Sequence, residues 1–130
     1  TEWGIRLKAT ESQNGIQSDI IWKNITFNKV KYGIYINEFN QSGVSHNDDN
    51  DDNLKMVDIY NITIEDVSGT YTQFAGHLDC AANYPCTGLV FNNIDLTPID
   101  ASVNETWQCS DNVYGTVNNV KPPLTCLKPQ

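Results

Sequence analysis

The sequence predicts an all-β fold, a parallel β-helix of about three coils, on three observations. Apolar residues alternate with polar ones at period two, in short segments rich in β-branched and aromatic side chains. No window holds an apolar stripe at the 3.6-residue helical period. Two kinds of short strand also recur in alternation along the chain, as expected where successive turns of a solenoid stack on one another. An antiparallel sandwich of six or seven strands is the main alternative.

The first kind of strand is Gly4-Ile5-Arg6-Leu7-Lys8, Gly33-Ile34-Tyr35-Ile36-Asn37 and Gly76-His77-Leu78-Asp79-Cys80. Each is a glycine followed by a short alternating run. The second kind is Asn24-Ile25-Thr26-Phe27, Asn61-Ile62-Thr63-Ile64 and Asn93-Ile94-Asp95-Leu96, with Val30, Val67 and Ile99 three residues further on. Period-two alternation turns Ile5, Leu7, Ile25, Phe27, Ile34, Ile36, Ile62, Ile64, Leu78, Ile94 and Leu96 inward. The spacing is unequal, so insertions are expected, the clearest at residues 42–53. That insertion carries an Asn/Asp run at 47–53. A calcium loop counted from Asp49 would need Gly at its sixth position and Glu at its twelfth, where the chain has Leu54 and Tyr60. An extended, solvated acidic loop is the better reading.

Composition bounds the function. The chain has 130 residues, 39% of them hydrophobic, with 8 Lys+Arg against 16 Asp+Glu and a net charge of −8. That allows a single small acidic domain with a modest core. An anionic body repels a phosphate backbone, so a nucleic-acid partner is not expected. No apolar run reaches the 18 residues of a membrane span, and no basic, apolar leader opens the chain. A soluble polypeptide follows, with any export signal removed or lying elsewhere.

Cys80, Cys86, Cys109 and Cys126 form no Cys-x-x-Cys pair, so neither zinc nor a redox motif is indicated, and no cofactor is expected. Three disulfide connectivities are open; short loop closure favours Cys80 with Cys86 and Cys109 with Cys126. Asn24, Asn40, Asn61 and Asn104 each begin an Asn-x-Ser/Thr acceptor. Cysteines and acceptors together predict a secreted, extracellular glycoprotein. The coils are expected over residues 1–108. Residues 109–130 leave the repeat, gain Pro122, Pro123 and Pro129, and read as a disulfide-clamped C-terminal cap. The chain enters strand register within four residues with no polar cap before it, so the expectation is the tail of a longer β-helix.

These residues together carry a resemblance to glycoside hydrolase family 28, the polygalacturonase group. The matching features are the Gly4-Ile5-Arg6-Leu7-Lys8 strand, similar to that family's Gly-x-Arg-Ile-Lys, and the repeated Asn-Ile-Thr strands. They also include Leu78-Asp79-Cys80 before Pro85-Cys86-Thr87-Gly88, and the ending from Cys109 through Cys126. The resemblance implies a right-handed parallel β-helix and inverting hydrolysis of α-1,4-galacturonan, in which one carboxylic acid protonates the leaving oxygen and a carboxylate base activates water. In the family these groups sit on Asn-Thr-Asp, Asp-Asp and Gly-His-Gly segments that precede the Arg-Ile-Lys strand. No Asn-Thr-Asp or Gly-His-Gly segment occurs here, and the pairs Asp48-Asp49 and Asp51-Asp52 lie in the acidic loop after that strand, without the strand context that would hold two carboxylates in register. No catalytic residue is therefore expected in this chain, which by itself should hydrolyse nothing. His77, in the cysteine-bearing strand, reads as structural.

What remains is substrate binding by Arg6 and Lys8, which alternation places on one outer face. An Arg and a Lys one pleat apart can hold a galacturonate carboxylate; without the resemblance they would read as ordinary surface charges. The family commonly has a Tyr just beyond the next strand of the first kind, where this chain has Phe39-Asn40, and Tyr35 falls one strand position early. The expected partners are an acidic polysaccharide of the polygalacturonate type, or another extracellular glycan or protein, and the preceding β-helix portion. The alternative is a non-catalytic structural or adhesive β-helix glycoprotein, its glycans at Asn24 and Asn61 sheathing one face of the coils.

Overall fold

The computed structural model describes residues 2–8, 15–37, 57–81 and 84–129, without the side chains of Lys8, Gly15 and Val57. The acidic insertion at 42–53, Phe39 and the acceptor Asn40 lie outside the described residues. Six strands follow in order: β1 (Trp3–Lys8), β2 (Gly15–Asn37), β3 (Val57–Asp79), β4 (Cys86–Pro98), β5 (Trp107–Cys109) and β6 (Val113–Lys121). All pair in parallel, in the order β1-β2-β3-β4-β6, with β5 on β3. Among the described residues there is no helix, and so none long and apolar enough to cross a membrane.

Parallel pairing of consecutive strands is what a coil that returns over itself produces. Ile5 pairs with Ile34, Ile34 with Gly76 and Gly76 with Trp107, so the chain regains the same place after 29, 42 and 31 residues. The fold is a parallel β-helix. β2 and β3 are each 23 residues long because the ladder continues around the corners of the coil.

Two columns of left-handed residues make those corners. Asp19 (φ 57°), Asn61 (φ 55°) and Gly88 (φ 61°) form one; Asn24 (φ 58°), Asp66 (φ 55°), Asn93 (φ 55°) and Asn119 (φ 56°) form the other. Left-handed backbone costs most L residues about 1–2 kcal/mol, and Asn, Asp and Gly bear it best. Their side chains then bond up the stack: Asn93 Nδ2 donates to Asp66 Oδ1 at 2.7 Å, and Asn119 Nδ2 donates to Asn93 Oδ1 at 2.9 Å. In the first column Asn61 Nδ2 donates to Asp19 Oδ1 at 3.4 Å. Gly88 has no side chain because a Cβ there would lie 2.5 Å from Asn61 Oδ1.

This geometry corrects the repeat as read from sequence in two places. Asn24 and Asn61 are not equivalent: Asn24 aligns with Asp66, while Asn61 turns the preceding corner. Glycans on the two would leave from different edges of the coil rather than sheath one face. The third strand of the first kind also slips by one residue. Gly33 aligns with Ala75, so Gly76 takes the inward place of Ile34. The reason is volume, since Trp107 of the next coil fills that layer and a Cβ on Gly76 would lie 2.3 Å from its ring.

Inside, like positions stack in columns. Ile62 lies beside Leu89, Ile64 beside Phe91, and Val67 beside Ile94, all at most 1% exposed. Ten of the eleven residues expected inward are buried; Ile25 is only partly so. It lies on the first part of β2, where among the described residues no strand covers the far side. Ile99, taken from sequence as the equivalent of Val30 and Val67, is 38% exposed. The disulfides are Cys80–Cys86 and Cys109–Cys126. β6 still adds a strand to the sheet beyond Cys109, and Trp107 Nε1 donates to Pro122 O at 2.8 Å, tying the proline segment to the last coil.

Candidate functional site

The face formed by β1, the end of β2, the end of β3 and β5 differs from the others in what it shows to solvent. Ile5 and Leu7 point into the core, so Arg6 between them points out. The register carries that outward position from Arg6 to Tyr35, His77 and Gln108. Beside it runs a second row, Trp3, Tyr32 and Phe74, again in register.

The two rows pack into one aromatic surface. Tyr32 and Phe74 stack at 4.6 Å between centroids, Trp3 meets Tyr32 at 5.9 Å and Tyr35 at 6.2 Å, and His77 sits edge-on to Tyr35 at 5.2 Å. Arg6 lies over the Trp3 ring, its Cζ 3.9 Å from the centroid. Such a cation–π contact holds the guanidinium plane in place and leaves its outer edge to meet a planar anion. Arg6 Nε is buried without a hydrogen-bond partner.

The Tyr35 phenol is held protonated past its ordinary range, chiefly by burial and to a smaller extent by the nearby Asp79; the amide of Asn37, which donates to Tyr35 Oη at 3.3 Å, works the other way. Tyr35 on this face is therefore a neutral hydroxyl at any physiological pH. Lys8 extends the face by one pleat, its backbone in register with Asn37 and, through it, Asp79; its side chain lies outside the described residues.

Of the residues singled out from sequence, Arg6 and Tyr35 are thus brought side by side. His77, read from sequence as structural, faces outward on the ladder next to Tyr35, because Leu78 after it points into the core. Trp3, Tyr32, Phe74 and Gln108 were missed as a group. A register anchored on buried volume rather than on glycine would have aligned them. Among the described residues no group of three or more His, Cys, Asp or Glu is placed to hold a metal ion.

The outer ladder can therefore offer one oriented cation, several ring faces and a few neutral hydrogen-bonding groups. That set suits a ring-shaped ligand bearing carboxylates better than a metal or a phosphate chain. The chain is 28% identical over 128 residues to polygalacturonase-2 of Solanum lycopersicum, covering 98% of this chain and 27% of that protein. It is 26% identical to a polygalacturonase of Prunus persica, covering 98% and 31%, and 28% identical to an exopolygalacturonase of Oenothera organensis, covering 95% and 33%. The chain thus spans about a quarter to a third of the length of these curated relatives. No solved structure matches it. The family model described as glycosyl hydrolases family 28 matches residues 1–119, and with the parallel β-helix and its Arg6-bearing strand in place, the chain belongs to that family.

Proposed function

We propose that this chain is the carboxylate-binding segment of a secreted polygalacturonase-like glycosidase, which hydrolyses α-1,4-galacturonan with catalytic acids supplied from outside these residues. The observation that carries the reading is Arg6, the chain's single arginine, laid on Trp3 within a face of rings. On a body of net charge −8, an anionic polysaccharide needs a local cation, and Arg6 with Lys8 supplies one. The guanidinium takes a galacturonate carboxylate, the ring faces take the C–H side of the sugar, and the Tyr35 hydroxyl and Asn37 amide stand beside them.

Calorimetric titration of the chain with trigalacturonate tests this. Binding is expected, weakened about tenfold in Arg6→Gln and less in Lys8→Gln, with no reducing ends released from polygalacturonate by the chain alone. Equal binding by both variants and the parent chain would overturn the carboxylate role. Turnover abolished by a substitution within the chain would overturn the placing of the acids outside it. The second reading, a structural or adhesive extracellular glycoprotein, draws on the exposed acceptors Asn24 and Asn104. It predicts no affinity for trigalacturonate at all.

A further inference from the structure

The downstream end of the aromatic rows opens into a cleft of about 480 Å³ between the end of the third coil and the segment leading into β5. Phe74 and Gln108 belong to both the rows and the cleft wall, which continues through Gln73, Asn104 and Glu105. The cleft is therefore not a separate cavity but the end of the same outer face.

Its chemistry is opposite to that at Arg6. Among the described lining residues none is Lys, Arg or His, and Glu105 stands on the wall, with Gln108 Nε2 donating to Glu105 Oε2 at 3.5 Å. Behind it, Ser102 on the lining donates through its hydroxyl and its backbone N–H to Asp100, and these bonds hold that carboxyl below the usual carboxylate range. Two anions thus face or back the cleft, and a free carboxylate entering it would meet repulsion with no cation on the described lining to offset it. The remaining lining suits an uncharged sugar: the Phe74 ring, held by its stack on Tyr32, for a pyranose face, and three side-chain amides for hydroxyls. From Arg6 to Gln108 the ladder crosses three strand spacings, about 14 Å, room for more than one sugar ring.

We propose that this cleft is a subsite for a methyl-esterified galacturonate residue, so that one face reads a free carboxylate at Arg6 and an ester at Phe74 and Gln108. The proposal rests on the galacturonan reading above and adds to it a preference for partly esterified chains.

The test uses the full chain prepared without N-glycans, because Asn104 lies on the cleft wall, and two probes: hexagalacturonate, and the same oligomer partly methyl-esterified. The parent chain should bind the esterified probe at least as tightly as the free acid, although it carries fewer charges for Arg6. Glu105→Lys, an exposed substitution that leaves the core untouched, should raise affinity for the free acid about fivefold or more and change affinity for the ester less than twofold. Phe74→Ala, checked for folding by its melting temperature, should weaken the esterified probe about tenfold. If Glu105→Lys shifts both probes alike or neither, the subsite is refuted. Should Arg6→Gln still weaken the free acid in that case, the galacturonan reading survives alone; if neither probe binds the parent chain, both fall.

Discussion

The second corner column and the outer ladder both run through four layers of the solenoid, yet they are built on opposite principles. The corner repeats nearly one chemistry, Asn24, Asp66, Asn93 and Asn119, each left-handed, with side-chain amide hydrogen bonds linking the last three. The ladder changes at every layer, from Arg6 to Tyr35, His77 and Gln108, and within it Tyr35 and His77 meet edge-on. Repetition follows where the backbone asks the same thing of each coil. On the proposed function, variation follows where the layers meet a ligand. On that reading the two columns separate scaffold from site within one short repeat.

The largest expected effect comes from breaking the corner. Asn93→Ala loses two side-chain bonds and puts alanine in left-handed backbone, and should lower unfolding free energy by about 2–3 kcal/mol. Asn93→Gly keeps the conformation and loses only the bonds, about 1–2 kcal/mol. Denaturant midpoints of the two separate backbone from bonding, and a corner serving only as a binding surface would show neither loss.

Breaking the ladder should do the reverse. Arg6→Gln is expected to leave stability within about 1 kcal/mol, the scale of one cation–π contact, while trigalacturonate affinity falls about tenfold. A thermal shift as large as that of Asn93→Ala would mark Arg6 as scaffold instead.

Two titrations sharpen the contrast with smaller effects. Tyr35 has its ionisation raised, chiefly by burial, so the fold resists its deprotonation. Its stabilising contribution is intact below the unfolded-state value near 10.0 and is lost as pH climbs through the higher folded value. Tyr35→Phe should flatten the alkaline fall in melting temperature; Tyr71, raised by burial too, keeps part of it. Asp100 is lowered by its bonds from Ser102, so its contribution is present above 3.8 and lost as pH drops through the folded value. Asp100→Asn should make the acid limb slightly shallower, by the smallest change of the four.

Much of the fold was legible because each coil must bury a side-chain row: alternation at Ile5, Leu7, Ile34 and Ile36 marks one inner face whatever the loops do. Register was less legible. Glycine and Asn-Ile-Thr look like natural landmarks, yet Gly76 makes room for Trp107, and Asn61 turns a different corner from Asn24. Both serve contacts between coils, which local spacing does not encode. The site suffered most from this. Arg6 was visible, with Lys8, as a cation on one strand face, whereas its aromatic surroundings exist only when residues 29 and 42 positions apart are correctly layered. The disulfides were legible in advance because short loops favour them.

If the variable ladder meets the polysaccharide and the repeated corner does not, backbone amide shifts of the chain on titration with oligogalacturonate will separate the two. Perturbations are expected at Trp3, Arg6, Tyr35, His77 and Gln108, with Asp66, Asn93 and Asn119 unmoved. Movement at the corner amides while the ladder stays still would overturn the assignment.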